Sequence, residues 1–211
     1  AAAAEASGWD GLFLWDHVLR PPQESLDIAD PWVTLAAVAT CTSSLTIGPM
    51  VTPVTRRRPQ KLAREATTLD HLSNGRLVLG LGLGVDSGRE LSGFGEVVDL
   101  RLRAQRLDEG AELLTLLWSG EVVTFRGEHF VADDVVFLPR PVQQPRIPLW
   151  FAARTDALAP IRRAARYDGL FPIDLDEARY RRMIDAVAEH RGSLDGFDIA
   201  VLAEPGSAVP R

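Results

Sequence analysis

The stretch GRLVLGLGLG, residues 75–84, places a glycine at every second position of its second half. Side chains alternate between the two faces of a β-strand, so the leucines of this stretch would share one face and the glycines the other. The bare face would carry Gly80, Gly82 and Gly84. Interior glycine weakens a strand and often marks a close approach to the backbone. The stretch therefore predicts a strand whose glycine face meets either tightly packed neighbours or a flat ring.

Two phosphate-binding motifs do not fit these glycines. A dinucleotide fingerprint needs G-x-G-x-x-G, but the last position is Val85 when counting starts at Gly80, and Ser87 when it starts at Gly82. A Walker-type loop needs Gly-Lys-Ser/Thr, and the sequence has a single lysine, Lys61, outside the stretch. The glycines are therefore predicted to serve a strand rather than a phosphate loop.

The rest of the chain alternates short apolar runs with amphipathic segments. Predicted strands cover residues 11–15, 45–52, 76–83, 148–152, 169–173 and 197–203. Predicted helices include residues 31–41, 59–72 and 102–118. This alternation indicates an α/β fold with a parallel sheet, and both a doubly wound sheet and a (β/α)8 barrel remain possible. Residues 122–141 interrupt the alternation with two β-rich runs around Asp133 and Asp134, which predicts an inserted β-hairpin.

Composition limits the class of protein. With 211 residues, 46% of them hydrophobic, the chain can bury one sizeable core, and we predict a single domain over residues 1–211. The net charge of −6 argues against binding to nucleic acid or to an anionic membrane. The single Cys41 excludes an internal disulfide, and no apolar run approaches the roughly 20 residues of a membrane span. We expect a soluble, cytoplasmic protein.

Both ends of the sequence are predicted to be cut. The opening AAAAEASGWDG predicts a helix that ends at Gly8 and is followed by a strand, so the chain would begin inside an α-to-β unit. The strand predicted at residues 197–203 is followed by EPGSAVPR, without a further helix.

Four segments together resemble the bacterial luciferase-like flavin monooxygenase family. They are GWDGLFLWDHVL (8–19), LTIGPMVTPVTRRRPQKLAREATTLDHLSNGRLVLGLGLG (45–84), RAQRLDEGAELLTLLWSGEVVTFRGEHF (103–130) and PRPVQQPRIPLWFAAR (139–154). The resemblance implies a (β/α)8 TIM barrel that uses FMN or the deazaflavin coenzyme F-420. On this comparison the predicted strands would be the second to the seventh of the barrel, and its first and last strands would lie outside the chain.

The resemblance also implies catalytic residues after the first predicted strand. Active sites of such barrels lie at the C-terminal ends of the strands. Asp16 and His17 stand there, where the family has a similar Asp-His, and His17 would lie beside the flavin or the substrate as a hydrogen-bond donor or proton carrier. The alternative is a histidine that only caps the strand. No metal site is predicted, because neither H-x-H nor H-E-x-x-H occurs.

Cofactor-binding residues are implied at the ends of the next two strands. Family members often distort the backbone near the end of the second strand, so that it bulges against the flavin, and the glycine strand is followed by a mobile loop. ELSGFGE, residues 90–96, resembles that loop, which would cover the pocket and exclude water. The residues predicted to contact the cofactor here are Val51, Thr52, Gly82, Gly84 and Val85.

A phosphate-binding turn is implied after the strand at residues 148–152. Many FMN-using relatives have a Gly-Gly-Ser-like turn there, at a helix N-terminus. This sequence has Ala153, Arg154 and Thr155 instead, followed by Asp156, which would repel a phosphate unless it caps the helix. The basic run at residues 56–58 could meet the anionic tail of the deazaflavin, but an exposed, solvated charge run is the slightly favoured interpretation.

These observations predict a flavin-dependent oxidoreductase that acts on a small organic substrate. It would use reduced FMN and oxygen, as a monooxygenase, or transfer a hydride with F-420. A non-catalytic flavin-binding barrel or heterodimer partner is the alternative, and a metal hydrolase on the same barrel is a third. The predicted partners are the substrate, a flavin reductase if the cofactor is FMN, and a second copy of the chain, since residues 55–72 resemble the family's dimerising helices.

Overall fold

A computed structural model describes residues 1–24 and 27–201. It divides into two compact units, Ala1–Ile147 and Pro148–Arg211. Each unit contains helices and parallel strands, so the predicted α/β class with parallel strands is confirmed. The single domain and the two barrel strands expected outside the chain stay predictions.

The described residues of the first unit form four α-helices, which are α1 (Ala2–Ala6), α2 (Pro31–Thr40), α3 (Pro59–Ser73) and α4 (Leu100–Leu117). Aspartate side chains cap the N-termini of two of them. Asp30 caps α2 by accepting the N–H of Val33 at 2.9 Å, and Asp99 caps α4 by accepting the N–H of Leu102 at 2.8 Å. Within the described ranges, no helix has the length and apolar character needed to cross a bilayer.

The first four strands of the first unit are short and parallel. They are β1 (Gly11–Leu14), β2 (Thr46–Pro49), β3 (Thr52–Pro53) and β4 (Leu79–Gly82). β1 pairs with β2 and β3 pairs with β4, and Ile47 forms a parallel bridge to Leu77. The strand predicted at residues 45–52 is therefore divided in two, and a cis peptide bond joins Met50 to Val51 at the division.

The predicted insertion is an antiparallel hairpin of β5 (Val122–Arg126) and β6 (Val131–Val136). The chain reverses at residues 127–130, so Asp133 and Asp134 lie inside β6 and not between the two runs. Glu109 of α4 holds the reversal, because its carboxylate accepts the N–H groups of three successive residues. These are Glu128 (2.9 Å), His129 (2.9 Å) and Phe130 (3.2 Å).

The leucine face of the glycine strand forms part of the core. Leu79 and Leu81 are fully buried, and Leu62 of α3 and Leu114 of α4 are buried as well. Alternation along β4 therefore places its large side chains among apolar neighbours and leaves its other face bare, as the sequence predicts.

The second unit repeats the strand–helix alternation. It contains β7 (Leu149–Ala153), α5 (Leu158–Ala165), β8 (Gly169–Pro172), α6 (Glu177–Arg191) and β9 (Asp198–Ile199). β8 pairs in parallel with β7 on one side and with β9 on the other. The strands predicted at residues 148–152 and 169–173 are confirmed. The strand predicted at residues 197–203 is confirmed at its start, and residues 202 and 203 lie outside the described residues.

Candidate active site

Asp16 lies at the centre of a buried polar network after the carboxyl end of β1. The residue is 3% exposed. Its carboxylate accepts hydrogen bonds from four side chains, each with a donor–acceptor distance of 3.2 Å or less. The donors are Trp32 Nε1 (3.2 Å), Thr52 Oγ1 (2.8 Å), Arg56 Nη2 (2.8 Å) and Arg57 Nη2 (2.8 Å). Asp16 therefore joins the ends of β1 and β3 and the start of α2.

Two guanidinium groups keep Asp16 ionised. Burial by itself would raise the pKa of the carboxyl group. The charges of Arg57 and Arg56, with the hydrogen bonds from Arg57 and Thr52, outweigh burial and hold the pKa below its ordinary value of 3.8. At neutral pH Asp16 is therefore a fixed anion that accepts hydrogen bonds.

The basic run at residues 56–58 is not a solvated surface run. The side chains of Arg56 and Arg57 are 7% and 19% exposed, whereas Arg58 is exposed. Arg57 also pairs with Glu65, with Nη1 3.3 Å from Oε2. The slightly favoured interpretation of an exposed charge run is wrong for Arg56 and Arg57, because a buried carboxylate such as Asp16 requires paired cations.

His17 is hydrogen-bonded to Glu90. His17 Nδ1 lies 2.9 Å from Glu90 Oε1, and the backbone N–H of Val18 donates to Glu90 Oε2 at 3.2 Å. The Glu90 side chain is 2% exposed and the His17 side chain 22%. Burial would raise the pKa of the Glu90 carboxyl group, but the hydrogen bonds from His17 and Val18 and the charge of Arg56 hold it below its ordinary value of 4.5.

The other ring nitrogen of His17 faces away from Glu90. Arg20 Nη1 lies 3.4 Å from His17 Nε2, and the Arg20 guanidinium also stacks 5.4 Å from the ring centroid of Trp15. Trp15 is 60% exposed and meets His17 edge-on. We assign the Nδ1–H tautomer from these contacts, since Glu90 can only accept there and Arg20 can only donate.

Sequence reasoning missed Glu90 as a candidate site residue. The sequence places it only at the start of the loop at residues 90–96. Its contact with His17 spans 73 positions of the chain. One signal could have indicated Glu90. It is a carboxylate in the loop that follows a strand whose end is predicted to bind the cofactor.

The predicted cofactor-binding residues of the first unit lie at the break between β2 and β3 and at the end of β4. Val51, Gly84 and Val85 are half-buried, whereas Thr52 is fully buried and its hydroxyl is committed to Asp16. Gly82 is the last residue of β4. The structure therefore brings Thr52 into contact with Asp16, and it places the other residues at neighbouring strand ends.

Packing against neighbouring residues closes the bare face of β4 at Gly80. A Cβ built on Gly80 would lie 2.4 Å from the backbone oxygen of Pro49 and 3.0 Å from the Met50 sulfur. Gly84 has a φ of +74°, which L side chains rarely adopt, and a Cβ there would lie 3.0 Å from Pro53. Tight packing therefore explains Gly80, and the roles of Gly82 and Gly84 toward a cofactor stay predictions.

The predicted phosphate turn belongs to the second unit. Ala153 ends β7, and the exposed side chains of Arg154 and Thr155 follow. Arg154 pairs with Asp174, and the Thr155 hydroxyl accepts the N–H of Ala157 at 3.0 Å. Ala157 is the N-cap of α5, so the turn has no side-chain cap at the helix start.

Asp156 does not cap the helix that follows it. Its carboxylate pairs instead with Arg179 and Arg182 of α6, at 3.2 and 3.0 Å. The hydrogen bond from Arg182 is the main reason that the pKa of Asp156 lies below its ordinary value. These two cations offset the negative charge that would repel a phosphate.

A group of potential metal ligands lies apart from the Asp16 network. Glu109, Glu128 and His129 offer ligand atoms within 4.8 Å of one another. The carboxylate oxygens of Glu109 already accept N–H bonds from the hairpin reversal, however, which fixes the group without an ion. The absence of a metal site stays a prediction.

The parallel strands alternate with helices, and a buried network around the Asp16 carboxylate follows β1. This architecture agrees with the protein family that the chain matches. Residues 1–206 match the model of the luciferase-like monooxygenase family, and the chain belongs to this family. It is 34% identical over 197 residues to the F420-dependent hydroxymycolic acid dehydrogenase of Mycobacterium tuberculosis, covering 91% of this chain and 53% of the relative. It is 36% identical to the F420-dependent glucose-6-phosphate dehydrogenase of Kineococcus radiotolerans, covering 72% and 45%.

Solved structures agree on the fold. An F420-dependent secondary alcohol dehydrogenase in complex with an F420-acetone adduct superposes with a TM-score of 0.80 at 23% identity, covering 94% of this chain and 61% of that chain. The monooxygenase RslO1 from Streptomyces bottropensis gives a TM-score of 0.80 at 25% identity, covering 94% and 60%. The chain spans about half the length of the curated relatives it matches.

Proposed function

We propose that this chain carries the active site of an oxidoreductase that uses the deazaflavin coenzyme F-420. Two relatives at 34% and 36% identity are F420-dependent dehydrogenases by name, which favours F-420 over FMN. The substrates in their names, a hydroxymycolic acid and glucose-6-phosphate, each bear a hydroxyl group on carbon. The proposed reaction is therefore hydride transfer between F-420 and an alcohol–carbonyl pair of a small organic substrate.

The His17–Glu90 pair is the observation that carries this proposal. Oxidation of an alcohol releases a hydroxyl proton as the hydride leaves, so the site needs a base beside the substrate oxygen. With Nδ1–H donated to Glu90 at 2.9 Å, Nε2 of His17 is the acceptor that takes this proton, once the substrate hydroxyl replaces Arg20, which lies 3.4 Å from Nε2. Ionised Glu90 then stabilises the charged imidazole ring. In the reverse direction, Nε2 returns the proton to the carbonyl oxygen.

Asp16 acts in this proposal as a positioning residue and not as a proton carrier. Its carboxylate is committed to Thr52, Arg56, Arg57 and Trp32. It follows β1 directly and precedes His17, so these bonds fix the backbone from which His17 projects. The catalytic role that the resemblance implies for Asp16 is thus proposed to be indirect.

The residues at the break between β2 and β3 and after β4 fit a flat, largely apolar ring. Val51, Gly84 and Val85 are half-buried and uncharged, so a ring can pack against them without meeting a charge. We propose that they hold the ring system together with Gly82. The bound coenzyme would supply the hydride carrier, which no amino-acid side chain can provide.

We propose that Ala153, Arg154 and Thr155 of the second unit form a site for a phosphate group. Arg154 is 53% exposed and pairs with the solvated Asp174, so an anion can compete for it. The backbone N–H groups at the start of α5 add positive potential. An anion that binds here displaces Asp174 from Arg154.

FMN-dependent oxygenation is the second candidate. The family description and the 25% identity to the monooxygenase RslO1 favour it. This function would require a flavin reductase as partner. A flavin-binding barrel without catalysis is the remaining alternative, and dimerisation through residues 55–72 and cytoplasmic localisation stay predictions.

Titration of the purified protein with F-420 and with FMN, each in both redox states, tests the proposal. We expect absorbance and fluorescence changes that saturate with F-420 in the micromolar range, followed by F-420 reduction in the presence of primary and secondary alcohols. Preference for reduced FMN with oxygen consumption would support the monooxygenase instead. Saturable binding without turnover of any alcohol, carbonyl or oxygen would leave the non-catalytic alternative.

A further inference from the structure

Arg56 connects two buried carboxylates that belong to different strand ends. Its Nη2 lies 2.8 Å from Asp16 Oδ1, and its Nη1 lies 3.6 Å from Glu90 Oε2. The side chains of Arg56, Asp16 and Glu90 are 7%, 1% and 2% exposed. This cation therefore spans the distance between the end of β1 and the loop after β4, out of contact with bulk water.

We infer that Arg56 is a positioning residue of the proposed active site, which links the fixed Asp16 anion to Glu90 and thereby holds Glu90 ionised and oriented against His17. This inference rests on the proposed function of the His17–Glu90 pair. The sequence alone predicts only that Arg56 lies in a solvated charge run or contacts the tail of a cofactor.

The planar fork of arginine explains why this residue type fits the position. One guanidinium nitrogen is used by Asp16, and the other is buried, has no hydrogen-bond partner among the described residues and faces Glu90. A guanidinium group carries donors on separate nitrogens of one rigid plane, so it can face both carboxylates at once. A lysine at this position would carry the same charge on a single nitrogen.

The charges around Glu90 support this role. His17 and Val18 contact it from the segment after β1, and Arg56 contacts it from the segment after β3. Arg20 lies behind the His17 ring. Asp86 lies in the same loop as Glu90, and its carboxylate accepts hydrogen bonds from the backbone N–H groups of residues 91 and 92. Among the described residues, Arg56 is thus the one permanent cation that forms an ion pair with Glu90.

Arg57 provides a matched control. It donates to both oxygens of Asp16 at 3.0 and 2.8 Å, and its second ion pair is with Glu65. Arg57→Gln and Arg56→Gln each remove one cation from Asp16, but only Arg56→Gln removes the cation that faces Glu90. Arg56→Lys keeps the charge and removes the fork.

The test compares the ionisation of Glu90 in these variants by carbon-13 NMR of its carboxyl group, in protein without cofactor. We expect Arg56→Gln to raise the pKa of Glu90 by about one unit, because a nearby positive charge is lost. Arg57→Gln should raise it clearly less, and Arg56→Lys should restore most of the difference. Equal shifts in the two glutamine variants, or no shift in either, would overturn the inference.

The pH profile of turnover gives a second readout. The acidic limb of kcat should move to higher pH in Arg56→Gln and stay close to the wild-type position in Arg57→Gln. If F-420 neither binds nor reacts while the NMR shift is seen, the proposed function fails but the link from Arg56 to Glu90 stands. If turnover occurs and the acidic limbs of both variants coincide, the proposed function stands and the role of Arg56 does not.

Discussion

The backbone oxygen of Pro49 occupies the space in which a side chain on Gly80 would begin. A Cβ built on Gly80 would lie 2.4 Å from that oxygen, closer than real Cβ atoms approach. Close packing of neighbouring strands thus explains Gly80, the first glycine of the stretch at residues 80–84. Of the three glycines, only Gly82 and Gly84 remain as positions at which a ligand is predicted to approach the backbone.

Gly80→Ala should destabilise the protein by about 1–3 kcal/mol, because the added methyl group forces a shift of the Pro49 backbone. Urea unfolding followed by circular dichroism measures the loss. Gly93→Ala is the control, since a Cβ on Gly93 would meet its nearest neighbour, in Arg89, at an ordinary 3.6 Å. Equal stability of the two variants would contradict the packing explanation.

Asp16→Asn should cost about 3 kcal/mol or more of unfolding free energy, because Arg56 and Arg57 would keep two buried charges without their anion. The matched exposed pair is Arg126–Asp133, whose side chains are 69% and 68% exposed. Asp133→Asn should cost less than about 1 kcal/mol. A loss for Asp16→Asn as small as that for Asp133→Asn would show that the buried network adds no stability.

Acid should weaken the protein partly through Asp16. Its pKa in the folded state lies below the ordinary value of 3.8, so its contribution to stability is present above that pH and is lost as the pH falls through the lower folded value. Urea unfolding of the wild type at pH 6 and at pH 3 should show a larger loss than the same comparison for Asp16→Asn. Identical losses in the two proteins would contradict the lowered pKa.

Glu109→Gln should loosen the hairpin reversal at residues 127–130. The amide group would present an N–H donor to backbone N–H groups that now share a carboxylate at 2.9 Å. Amide hydrogen exchange at His129 and Phe130 should become faster. Glu112→Gln, on an exposed position of α4, is the control and should leave the exchange of these amides unchanged.

Glu90→Gln should lower kcat by roughly 10²-fold or more if His17 transfers a proton, since the charged imidazole ring would lose its anion. The affinity for F-420, measured by fluorescence, should change much less. Glu121→Gln alters an exposed glutamate in the segment between α4 and β5 and should retain wild-type turnover. A Glu90→Gln protein with unchanged kcat would remove Glu90 from the proposed mechanism.

Local patterns in the sequence predict much of the fold. Asp30 and Pro31 mark the start of α2, and apolar runs bounded by polar segments mark β1, β7 and β8. Such features depend on residues close together in the chain, so periodicity and capping preferences reveal them. The division of the predicted strand at residues 45–52 is not visible in its local pattern, and only the family resemblance implies a distorted backbone near Val51.

The features of the site also divide into those that the sequence predicts and those that depend on the tertiary structure. The sequence by itself determined the parallel α/β alternation, the family resemblance and the position of Asp16 and His17 after a strand. Only the tertiary structure decided that Arg56 and Arg57 turn inward and that Glu90 meets His17 from 73 residues away. The physical reason is that charge pairing inside a protein is set by which groups burial brings together. The sequence of a basic run is the same whether its charge is solvated by water or paired with a buried carboxylate.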